Sequence, residues 1–96
     1  MDKEVIHTIT VILSPSSDAV EVTARLISGT VRAGMFLHIP LSGTFNVTAL
    51  IAHVTPTADG EILLLLDCDN DPDAAAMVLD FNFADETLDV KEEDEI

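Results

Sequence analysis

The segment Asp67-Cys68-Asp69-Asn70-Asp71-Pro72-Asp73 sets four carboxylates at alternate positions around the single cysteine of the chain. Alternate acids are how the first half of a calcium loop brings hard oxygen ligands to one ion. The second half of that pattern fails, because the sixth position is Pro72 where the loop needs glycine and the twelfth is Val78 where a bidentate glutamate is required. Neighbouring carboxylates still attract calcium or magnesium weakly. A metal-binding protein or metal-dependent enzyme using the Asp67–Asp73 loop is therefore one alternative, and a solvated helix-capping turn is the simpler expectation. No metal site and no cofactor is assigned. Cys68 lies between two aspartates whose charge raises its thiol pKa and disfavours a nucleophilic thiolate. His7, His38 and His53 fall on three expected strands, in phase with Ile9, Phe36 and Ile51. Their spacing fits no short zinc motif, so they are expected to be buried or half-buried structural residues. Ser28 beside Gly29 lacks the Gly-x-Ser-x-Gly elbow of a hydrolase, and no pair of carboxylates is singled out as acid and base. The residues thus point away from an enzyme.

The elements that would position these residues come from a chain of 96 amino acids, enough for one small domain that buries roughly 60–65% of its unfolded surface. Hydrophobic residues make up 48% of it, which supports a packed core despite a net charge of −14. Phe36, Phe45, Phe81 and Phe83 are the only aromatics, so the core must be aliphatic and stacking platforms for bases are scarce. Charge is split unevenly. Residues 1–58 hold four acids and three bases, a net of −1, whereas residues 59–96 hold fourteen acids and only Lys91, a net of −13. Such a field repels phosphate backbones and anionic membranes and speeds encounter with basic proteins. The charged opening and the lack of any apolar run near the ~18 residues of a membrane span give a cytoplasmic protein as the default expectation. One cysteine allows no intrachain disulfide.

Along the chain, Val5–Leu13 is rich in β-branched residues and stops at a Ser-Pro-Ser-Ser-Asp turn. From Ala19 the period is two, with Val20, Val22, Ala24 and Leu26 facing one way and Glu21, Thr23 and Arg25 the other. Gly29 and Gly34 bracket a short connection before a third strand over Met35–Ile39, ended by Pro40. Phe45, Val47, Ala49 and Ile51 alternate with Asn46, Thr48, Leu50 and Ala52 in a fourth strand running to about Val54. Pro56-Thr57-Ala58-Asp59-Gly60 should break the chain, and Ile62–Leu66 reads as a central strand covered on both faces. Asp71 as cap and Pro72 at the first helical position predict one or two helical turns over residues 72–77. Val78–Phe83 and Thr87–Val90 are expected to supply the last strand. The domain would occupy residues 1–90, with an acidic tail over 91–96.

The stretch Val22-Thr23-Ala24-Arg25-Leu26-Ile27-Ser28-Gly29-Thr30-Val31-Arg32-Ala33-Gly34-Met35-Phe36 resembles the second, β-barrel domain of translational GTPases such as elongation factor Tu, in which an arginine-containing strand leads into Ser-Gly-x-Val-[Lys/Arg]-x-Gly. Phe45–Ile51, Asp59–Leu66 and Asp71–Leu79 resemble later elements of that domain in the same order, so the likeness covers about residues 5–90. It implies an all-β fold, a closed six-stranded antiparallel, Greek-key-like barrel with one short helical turn near residues 72–77. It also implies a link to the translation machinery. The phosphate-binding Gly-x4-Gly-Lys-[Ser/Thr] loop of the GTPase domain is absent, which excludes GTP hydrolysis. In that family the barrel contacts ribosomal RNA or the acylated end of transfer RNA, a task poorly matched to a net charge of −14. For Arg25 and Arg32 a cross-strand ion pair with Glu21 or another acid is the expectation.

Together these features predict a non-enzymatic acidic interaction module that binds a basic protein, with nucleic acid and membrane disfavoured and homo-oligomerisation left open. Asp67, Asp69, Asp71, Asp73, Glu92, Glu93, Asp94 and Glu95 would form the partner-binding surface. The module could regulate translation, or it could be an inhibitor or immunity protein that masks a nucleic-acid-binding enzyme.

Overall fold

The computed structural model describes residues 4–15, 18–42, 45–58, 60–81 and 83–92. Six strands, β1 (Glu4–Leu13), β2 (Ala19–Ser28), β3 (Phe36–Ser42), β4 (Phe45–Ala58), β5 (Glu61–Asp67) and β6 (Thr87–Lys91), and one helix, α1 (Pro72–Asp80), follow in the order β1-β2-β3-β4-β5-α1-β6. The strands close into an antiparallel barrel with spatial order β1-β2-β5-β4-β3-β6. Because β3, β4 and β5 form a meander and β2 lies beside β5, the topology is a Greek key.

The two-residue period of β2 decides which side is inside. Val20, Val22 and Ala24 are fully buried, while Arg25 is exposed and sits opposite Glu61 of β5 with its guanidinium 3.5 Å from the carboxylate. Ile6, Leu37, Ile39, Ile51, Leu64, Leu66, Leu88 and Val90 complete an aliphatic lumen. The crossing from β2 to β3 adds Val31 and Met35 to this core, and the α1–β6 connection adds Phe83. That crossing turns on Gly29 (φ +77°) and Gly34 (φ +96°), where a Cβ would be strained even though open space surrounds Gly34.

Four local features differ from the sequence-based expectation, each for a physical reason. Pro40 does not end β3 and Pro56 does not end β4. In both strands a register shift follows the proline, between Pro40 and Ser42 and between Pro56 and Ala58, and a bulge is where a strand can absorb a missing N–H. In β5 only alternate leucines are fully buried: Leu64 and Leu66 face the lumen, whereas Leu63 and Leu65 are half-buried on the outer wall. A further shift between Ile51 and His53 re-phases β4, so that His53 is exposed although Ile51 is buried. Residues 78–80 extend α1 instead of starting a strand, since Ala75 and Val78 on one helix face pack onto the core. The acidic tail falls largely outside the described residues, as do Ser16, Ser17, Gly43 and Asp59.

Barrel closure rests on β6, which has five residues. It pairs with β1 from Glu4–Val90 to His7–Thr87 and with β3 only at Phe36–Lys91 and Leu37–Val90. The approach to β6 is held by Thr8, which is fully buried. Its hydroxyl donates to the Phe83 carbonyl at 2.5 Å and accepts from the Glu86 N–H at 2.9 Å, while its own N–H donates to the Glu86 carbonyl at 2.8 Å. The Arg32 guanidinium pairs with Glu92 just beyond the end of β6. Replacing Thr8 by valine keeps the shape and strands the Phe83 carbonyl and the Glu86 N–H. We expect Thr8→Val to lower the free energy of unfolding by about 2–3 kcal/mol and Thr8→Ser by clearly less, as read from urea denaturation.

Candidate functional site

The acidic segment leaves β5 at Asp67 and turns sharply. The Asp71 N–H donates to the Cys68 carbonyl at 3.0 Å, and the two residues between them, Asp69 (φ +57°) and Asn70 (φ +54°), are both left-handed. Aspartate and asparagine tolerate this conformation better than other side chains, and two successive positive φ values mark a type I′ turn. The Asp67 carboxylate accepts from the Asp69 N–H at 2.9 Å. Asp71, the last residue of the turn, caps α1 by accepting from the Asp73 N–H at 2.9 Å, with Pro72 at the first helical position and the Ala75 N–H bonded to the Asp71 carbonyl. The partial positive charge of the helix N-terminus favours the carboxylates of Asp71 and Asp73 there.

The four aspartates Asp67, Asp69, Asp71 and Asp73 are therefore brought together, and all four are exposed. Two of them, Asp67 and Asp71, spend a carboxylate oxygen on backbone N–H groups. Among the described residues no three His, Cys, Asp or Glu side chains converge as metal ligands. Beneath the turn Cys68 is 7% exposed. Burial pushes its thiol pKa above the ordinary 9.0, and the negative charges of Asp67, Asp69, Asp18 and Asp71 add to the rise. The sequence pointed to the charges, yet desolvation is the larger cause. The protonated thiol is a poor nucleophile, so the cysteine is a small apolar core residue.

Glu92 does not join this cluster. It follows β6, which is separated from β5 by two intervening strands in either direction around the barrel, and its carboxylate is paired with Arg32. Glu93, Asp94 and Glu95 lie outside the described residues.

A second polar group has no signal in the sequence, because its members are almost a chain length apart. His7 on β1 places Nδ1 3.0 Å from the Thr87 hydroxyl and Nε2 2.9 Å from Asp85. In the tautomer with the proton on Nε2, the ring donates to the carboxylate and accepts from the hydroxyl. The chemical types match a hydroxyl–imidazole–carboxylate relay, but the environment does not. The Asp85 side chain is 90% exposed and that of His7 37%, so water screens the pair and no low-dielectric pocket strengthens it. What the arrangement does is bridge β1, the 83–86 connection and β6 on the outer wall.

Among the described residues no helix is long and apolar enough to cross a membrane. Comparisons with protein-family models, with curated proteins and with solved structures return no match to this chain. The class that can be stated is the closed six-stranded antiparallel barrel with one short helix.

The role of Asp71 is separable from its charge. Asp71→Ala should cost about 1 kcal/mol of stability through loss of the cap, and Asp71→Asn should retain most of it, as measured by thermal or urea unfolding.

Proposed function

We propose that this chain is a non-enzymatic acidic β-barrel module that binds a basic protein through the turn joining β5 to α1. The observation that carries the reading is the display of Asp67, Asp69, Asp71 and Asp73 on one capped, hydrogen-bonded turn, in a half of the chain with a net charge of −13. Pre-ordered carboxylates bind cationic side chains without a further loss of conformational freedom. The surrounding acidic field raises the rate of encounter. The sequence likeness to the second domain of translational GTPases directs the search for the partner to basic proteins of the translation apparatus. The residues that would meet such a partner are first Asp69 and Asp73, whose carboxylates do not brace the turn in the way those of Asp67 and Asp71 do.

The test is capture of partners on immobilised wild type and on an Asp69→Asn/Asp73→Asn variant. A basic protein retained by the wild type at low salt, released at about 1 M salt where the screening length falls to about 3 Å, and lost with the variant is the expected result. Equal retention by wild type and variant, or retention that salt does not weaken, would remove the proposal.

A further inference from the structure

Charge and apolar exposure divide the outer wall of the barrel. Residues 5–17 contain no Asp, Glu, Lys or Arg, in a chain with a net charge of −14. β1 runs through this neutral stretch. Among the described residues the exposed large hydrophobics are Ile9, Ile12, Ile27 and Met77, and the three isoleucines stand on β1 and β2. A chain this acidic meets a copy of itself with least repulsion where its surface carries no charge. The same stretch offers a basic protein little to attract it.

The register of the β1–β2 hairpin gives this face a pattern that is its own complement. Val20, Val22 and Ala24 are buried, so the alternate residues Glu21, Thr23 and Arg25 point outward. Across the ladder they form three rows, Glu21 with Ile12, Thr23 with Thr10, and Arg25 with His7. The acid and the base of β2 thus lie two residues to either side of Thr23. Turning a second copy by 180° about an axis along the Thr10–Thr23 row sets the two walls face to face with their strands antiparallel. Each Glu21 then meets the second copy's Arg25, and the symmetry makes the contact twice. An axis along the strands would instead lay Glu21 over Ile12 and Arg25 over His7, so charge selects the antiparallel arrangement. Both groups have capacity for the contact. Glu21 makes no ion pair among the described residues, and Arg25, which meets Glu61 at 3.5 Å, keeps an exposed side chain.

We propose that the outer face of β1 and β2 is an interface with a second copy of this chain, docked antiparallel about a two-fold axis along the Thr10–Thr23 row. Its occupant and its location both differ from those of the acidic turn between β5 and α1.

The experiment is sedimentation equilibrium of the full chain from micromolar to millimolar concentration, at about 0.15 M salt, where the screening length is about 8 Å. A reversible monomer–dimer equilibrium is expected for the wild type. Glu21→Arg sets two arginines against each other across the interface and Arg25→Glu sets two glutamates, so each should raise the dimer dissociation constant at least about tenfold. Mixing the two variants restores opposite charges at both contacts and should restore the dimer, which a purely structural effect of either substitution would not do. If Arg25→Glu fails to fold, the loss of the dimer in Glu21→Arg decides alone. The proposal is overturned by a wild type that stays monomeric, by variants that dimerise as the wild type does, or by a mixture that stays monomeric. Asp69→Asn/Asp73→Asn should dimerise no less than the wild type, and loss of its dimer would overturn the proposal by placing the contact at the turn. Capture of a basic protein does not depend on Glu21 or Arg25, so the two readings fail separately.

Discussion

A six-stranded sheet that must close through a strand of five residues sets the terms for the rest of this molecule. An open sheet of the same strands would leave β3 and β1 as long edges and would expose the aliphatic face that now fills the lumen. β6 removes that liability with four residue pairs to β1 and two to β3. So small a ladder is reinforced from outside itself. Thr8 pins the preceding connection through one buried hydroxyl, His7 ties Asp85 and Thr87 to β1, and Arg32 holds Glu92 beyond the strand end. Phe83 is 1% exposed and anchors the connection in the core.

The residues proposed to bind a partner lie on the wall of the barrel and not in its lumen. The interior is apolar, aliphatic apart from Phe83 and the sulfur-bearing Met35 and Cys68, and the Cys68 thiol is kept protonated by burial and by surrounding aspartates. The acidic turn is held by local hydrogen bonds that use the carboxylates of Asp67 and Asp71, which divides the four exposed aspartates into two that brace the turn and two that do not brace it in this way. A charged loop with that division can meet a partner without first being ordered by it.

Much of the barrel was legible in the sequence because a strand with one buried face writes its period into the chain. β2 shows this most clearly: Val20, Val22 and Ala24 face in, Arg25 faces out, and the expected ion pair of Arg25 with an acid is made with Glu61. The cap on α1 was equally readable, since Asp71-Pro72 states both the start and its mechanism. What the sequence hid are the places where the period slips. The shift between Ile51 and His53 turned outward a histidine expected to be buried or half-buried, and nothing in the residue types announces it. The length of α1 was masked because Val78 and Leu79 suit a strand as well as a helix face. The closing contacts were invisible for another reason: Thr8 meets Phe83 and Glu86 across most of the chain, and such pairs exist only once the fold does. Glu92 was grouped with the acidic turn by charge alone, and geometry assigns it to Arg32.

The most direct test of closure by β6 is native-state hydrogen exchange, comparing the Thr8 amide and the amides that pair β6 with β1 against those that pair β2 with β5. If the reinforced seam is the constraint on which the barrel depends, both sets exchange only through global unfolding and give the same free energy of opening. Release of the β6 and Thr8 amides through a cheaper local opening, with the β2–β5 ladder still protected, would contradict it.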